Sequence, residues 1–168
     1  MTPNVRRMLA ALGLLLFLAM LQSTIVPLIA ISGAIPSLLL IGTVFVSLRE
    51  GQMTAMIASF PAGILVDAYS SGLVGITALG LVVTAFAAGF FHDEEKASML
   101  VRSPQAVAIM LPASLLFHTI YVFSYFQTLD IHFLPLFLRY VLGASLYTTV
   151  LSVIPVLIIA RRRARLKV

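Results

Sequence analysis

The chain has 168 residues, of which 61% are hydrophobic and only 10% charged, with a net charge of +5 and a mean hydropathy of +1.09. This composition excludes an ordinary soluble domain and points to an all-α polytopic membrane protein, in which each helical span takes about 20 apolar residues to cross a hydrocarbon core of about 30 Å. No cysteine is present, which excludes disulfides, thiol chemistry and Cys-ligated metals but leaves the compartment open.

In chain order, uninterrupted apolar segments fall at 8–29, 33–48, 53–66, 72–91, 104–126 and 136–160. We therefore expect residues 1–168 to form one integral membrane domain, a bundle of about six transmembrane helices. The first segment follows Arg6 and Arg7 in the manner of a secretory signal, yet its run is long and "LQSTIVP" lacks an A-x-A cleavage pattern, so it reads as a retained span. The second and third are short, about 24 and 21 Å as helix at about 1.5 Å per residue. They form either two short or tilted spans or a re-entrant hairpin. A hairpin would leave Arg49 and Glu50 of its "LREGQ" tip inside the membrane, which is costly without partners, so two spans are favoured.

With six spans, the loops on the N-terminal side hold Arg6, Arg7, Arg49, Lys96, Arg102, Arg161, Arg162, Arg163, Arg165 and Lys167, and the opposite side holds only Arg139. The positive-inside rule makes the basic side cytoplasmic and puts both termini there. In the closing "RRRARLK", Arg161, Arg162, Arg163, Arg165 and Lys167 are expected to anchor the chain on anionic lipid headgroups, at about 1 kcal/mol per residue near the surface. Nucleic acid is not expected as a partner, because no interleaved aromatics and no folded module present the cluster.

Several residues interrupt the apolar pattern. Pro36, Pro61, Pro112 and Pro155 remove backbone donors within predicted helices and read as packing kinks. His118, near the middle of the fifth segment, reads as a histidine bonded to a neighbouring helix rather than as a proton relay. His92 and His132 are predicted at opposite faces, so no metal cluster and no cofactor is expected. Ala55, Ser59, Gly63 and Asp67 recur every four residues and share one stripe of the third segment, where small side chains admit another helix; Asp67 should face protein. Ala85 and Gly89 repeat that spacing in the fourth segment and are candidates for packing within the bundle or against a partner helix. Asp67 ends the third segment and Arg139 begins the sixth on the same predicted outer side. They are candidates for an ion pair, against two alternatives: a cap that Asp67 makes with local backbone donors, and free solvation of both charges. There is no G-x-S-x-G, no Gly-rich phosphate loop with Lys and no H-E-x-x-H, and Asp93, Glu94 and Glu95 share a predicted loop with Lys96, so an enzyme is not expected.

The stretch "PAGILVDAYSSGLVGITALGLVVTAFAAGF", residues 61–90, resembles the central signature of the rod-shape-determining MreD family: a G-x-x-x-D ending one span, a small polar turn, then a Gly-containing start to the next. The motif falls on Gly63, Asp67, Gly72 and Gly75. "QSTIVP" and "PSLLLIGTVFVSLREG" extend the resemblance over nearly the whole chain. It implies a non-enzymatic subunit of the bacterial cell-elongation (rod) complex in the cytoplasmic (inner) membrane. Such a subunit binds an MreC-like bitopic protein and works with a RodA-like glycosyltransferase, a penicillin-binding transpeptidase and MreB-like filaments in peptidoglycan synthesis and rod shape. It also implies a fold like that of the substrate-binding (S) components of energy-coupling-factor transporters, and with it an alternative function in small-solute binding. A solute site needs several convergent polar groups, whereas the spans offer mostly Gln22, His118 and a few hydroxyls, which favours the scaffold.

Overall fold

The computed structural model describes residues 3–29, 35–70, 73–93, 97–101, 103–126 and 133–164. Among the described residues run α1 (Pro3–Thr24), α2 (Leu38–Glu50), α3 (Gln52–Tyr69), α4 (Ile76–Gly89), the single turn α5 (Ala97–Leu100), α6 (Pro104–Phe126) and α7 (Phe133–Ala164). Each of the six apolar segments thus contributes one of the longer helices. Three stretches, Val5–Thr24, Pro104–Ser124 and Tyr140–Ile159, are long and apolar enough to cross a membrane by length and composition.

The helix ends follow from backbone chemistry that hydropathy does not register. The apolar run continues to Ile29, but α1 stops at Thr24. Pro27 has no N–H and disfavours helix in the residue before it. The Ser23 and Thr24 hydroxyls donate back to the carbonyls of Ala19 and Met20 at 3.1 and 2.8 Å, and Val26–Ile29 close as a 3-10 turn. At the other end α1 runs through Arg6 and Arg7 to Pro3, whose fixed φ suits a first helical residue. Pro36 was expected inside a helix and lies instead two residues before α2, where Ser37 takes the N-cap and its Oγ accepts from the Leu40 N–H at 3.1 Å. Gly51 alone joins α2 to α3. Its φ of +87° suits glycine, and its N–H caps α2 by donating to the Ser47 carbonyl at 3.1 Å. Pro61, Pro112 and Pro155 do sit inside α3, α6 and α7.

α2 is the central post. Residues 39–44 and 46–48 are all buried, so most of the helix is covered, as its apolar sequence permits, and Phe45 is only partly buried. α1, α3, α4 and α6 stand around it. α3 and α4 form an antiparallel hairpin, with Gly63 against Ala78 at one end and Gly89 against Gln52 at the other. The next helix is reached through Gly80, where an added Cβ would lie 3.0 Å from the Phe117 ring of α6. In lipid no hydrophobic force draws helices together, so close backbone approach through small residues supplies the attraction. The buried side of α3 accordingly carries Ala55, Ala58, Ser59, Ala62 and Gly63, while Met53, Ile57 and Phe60 point outward.

Candidate functional site

Asp67 sits in the last turn of α3 and is 2% exposed, yet it is well satisfied. Its Oδ2 accepts from the backbone N–H groups of Gly75 at 2.8 Å, Thr77 at 3.1 Å and Ala78 at 3.4 Å, and its Oδ1 accepts from Thr77 at 3.3 Å. These are the otherwise unpaired donors at the start of α4, where a negative charge also meets the positive end of the helix dipole. Gly63, one turn earlier on the same face, makes the contact possible, since a Cβ there would overlap the Ala78 backbone. Gly75 is the N-cap of α4 with φ +102°, a left-handed conformation that a side chain strains. Ser70 completes the exit from α3: its N–H and hydroxyl donate to the Asp67 carbonyl at 3.1 and 3.0 Å. The local cap is therefore present. Gly72 lies outside the described residues, and so does the Arg139 side chain on which the candidate ion pair depends.

A second constellation lies at the opposite end of the bundle. The start of α1 meets the end of α2 through Arg7 Nε, 3.9 Å from Glu50 Oε2, and Arg49 Nε lies 3.1 Å from Glu50 Oε1. His92 Nδ1, just after α4, is 2.9 Å from the Leu48 carbonyl oxygen, to which it donates. Arg161, Arg162 and Arg163 continue the α7 backbone toward its end; their side chains, with Arg165 and Lys167, lie outside the described residues.

The family model of the rod shape-determining protein MreD matches residues 5–160. The chain belongs to the MreD family. It is thereby a member of a family of membrane proteins with a role in determining rod shape. No curated protein and no solved structure matches it.

In this MreD-family chain the small-residue spacing of α4 is used internally. Ala85 is fully buried, its carbonyl accepts from Ser47 Oγ of α2 at 2.6 Å, and a Cβ on Gly89 would overlap the Gln52 side chain of α3. Of the two alternatives for Ala85 and Gly89, these contacts are those of packing within the bundle.

Gln22 and His118, the polar groups noted within the spans, each make a polar tie. Gln22 near the end of α1 donates to the Pro36 carbonyl at 3.2 Å and accepts from the Leu38 N–H at 2.7 Å, while the Ser37 N–H donates to Thr148 Oγ1 of α7 at 3.1 Å. This ties α1, α2 and α7 together. His118 Nδ1 donates to the Ser114 carbonyl at 2.8 Å, with Ser145 Oγ of α7 at 3.4 Å. A serine or glutamine flanking an apolar run signals such a tie, but its partner comes from distant sequence and is not legible.

Proposed function

We propose that the protein is a non-enzymatic subunit of the bacterial cell-elongation complex, held in the cytoplasmic membrane by six spans with both termini inside. There it binds the transmembrane helix of an MreC-like bitopic partner and supports peptidoglycan synthesis and rod shape. The observation that carries this reading is the family match over residues 5–160. A RodA-like glycosyltransferase, a penicillin-binding transpeptidase and an MreB-like filament are the further members of the assembly. Anionic lipids hold the C-terminal cluster at the membrane surface.

The topology has its own support. Glu50 within 3.9 Å of Arg7 brings the α2–α3 corner level with the start of α1, which fits helices of full depth better than a hairpin dipping halfway. The packing of Gly89 on Gln52 brings the end of α4 to the same level, and the described basic residues Arg6, Arg7 and Arg49 lie there, in keeping with the positive-inside rule. Solute binding by a component of the energy-coupling-factor type is the alternative. It is weakened because Gln22 and His118, the polar groups it would use, are engaged by neighbouring backbone.

The test is co-expression of the tagged full chain with an MreC-like protein and recovery from detergent. We expect the partner to be retained at a defined ratio; failure of the unaltered chain to retain it would remove the scaffold reading. For topology, a Ser70→Cys variant of this cysteine-free chain should be labelled from the periplasmic side. Labelling from the cytoplasmic side alone would reverse the assignment.

A further inference from the structure

α1 and α7 leave part of α2 uncovered between them. A cavity of about 1060 Å³ opens there, with Ile41 and Phe45 of α2 as its floor, Leu14 of α1 on one side and Ile154 and Ile158 of α7 on the other. Its character changes along its length. Arg6, Arg7, Arg49 and Glu50 line one end, and every other lining residue is apolar or glycine.

The charges at that end do not cancel. Glu50 lies between Arg7 and Arg49 and keeps only 18% of its side chain exposed, whereas theirs are 69% and 71% exposed. Among the described lining residues three guanidiniums face one carboxylate, an excess of two positive charges at the mouth of an apolar trough. The 13 residues of α2 make its floor about 20 Å long, enough for one leaflet, which is half of a hydrocarbon core of about 30 Å. We propose that this cleft binds one anionic phospholipid, with its phosphate among Arg6, Arg7 and Arg49 and an acyl chain along α2.

The chemistry selects this occupant. A guanidinium matches a phosphate through paired N–H donors, and Glu50 holds two of the three side chains at the entrance in readiness. A zwitterionic lipid carries its own cation, which offsets the attraction. An apolar helix from a partner protein would fill the trough but offers nothing to the excess charge. Among the described residues the lining ends at Ile159, and the proposal stands or falls independently of MreC binding.

Native mass spectrometry of the full chain in detergent, with phosphatidylglycerol or phosphatidylcholine of matched acyl chains, tests the proposal. One phosphatidylglycerol should be retained in preference by on the order of tenfold or more. The triple variant R6Q/R7Q/R49Q should lose that preference. Should the triple variant not fold, Ile154→Trp, which narrows the cleft and leaves the arginines, should lower phosphatidylglycerol retention. A benzophenone amino acid in place of Ile154 should crosslink in membranes to lipid. The proposal is overturned by equal retention of the two lipids, by a preference that survives R6Q/R7Q/R49Q, by unchanged retention in the folded Ile154→Trp variant, or by crosslinks from position 154 to a protein.

Discussion

The α3–α4 hairpin and the α1–α7 side of the bundle are made from the same apolar stock and packed by opposite rules. In the hairpin, Gly63 and Ala78 bring two backbones together, Gly89 does the same against Gln52, and the Asp67 carboxylate locks the turn. Between α1 and α7, large side chains such as Leu14, Phe45 and Ile154 border open space. Since lipid rewards burial of a leucine no more than protein does, α1 and α7 gain little by closing beyond the polar tie at Gln22, Ser37 and Thr148. The hairpin is thus the closely packed part of the molecule, and the other side is where another molecule has room.

The comparison is broken most severely at Gly63. Leucine there has to displace the Ala78 backbone, which is not the end of a flexible side chain and has little freedom to yield. Overpacking of this kind costs about 1–3 kcal/mol or more, and we expect Gly63→Leu to abolish the cooperative thermal transition in detergent. A normal melting curve would mean that the hairpin is not held by close backbone approach.

Asp67→Ala comes next. It strands the donors at the start of α4 and removes charge-assisted bonds, a loss of about 1–3 kcal/mol read as a lowered melting temperature. Asp67→Asn keeps an acceptor oxygen and should lose less. A double-mutant cycle with Arg139→Gln measures whether the guanidinium also contributes. Because both carboxylate oxygens are engaged by backbone, we expect additivity within about 0.5 kcal/mol. A larger coupling would establish the ion pair.

The sequence shows why Asp67 is inside but not what it touches. Its place on a stripe with Gly63 follows from a four-residue spacing, and the choice among cap, ion pair and solvation depends on where the chain returns after the turn. The six segments were legible because apolar length survives any packing. The helix ends at Thr24 and Leu38 were less so, because Pro27, Ser37 and Gly51 act through backbone donors rather than hydropathy. Ala85 and Gly89 carry a spacing that serves an inner or an outer partner equally, and only the packing of α4 on α2 and α3 decides between them. Arg6, Arg7 and Arg49 are readable as residues of one membrane face, but not as the rim of one cleft, which requires α1, α2 and α7 side by side.

Gly75→Ala should have a smaller effect. Nothing lies within 4 Å of an added Cβ, so the cost is the left-handed backbone alone, about 1–2 kcal/mol. Gly75→Asn, which tolerates that conformation better, should recover part of the loss in the same melt. Equal losses for the two variants would mean that the strain is not conformational.

The smallest effect is expected at Gly13, on the exposed outer face of α1. No atom lies within 4 Å of an added Cβ, and glycine is a poor helix former, so Gly13→Leu has neither a clash nor a lost bond to set against its helix-favouring side chain. We expect the melting curve to stay within about 0.5 kcal/mol of the unaltered chain, the usual range for substitutions away from packed features. The same substitution at Gly63 should destroy the fold, so the pair isolates close approach from the mere loss of a glycine. Gly13→Leu is also informative in the pull-down with an MreC-like partner. A helix seated on the outer face of α1 would be pushed away by leucine at full fold stability, while unchanged recovery would assign the partner to another face.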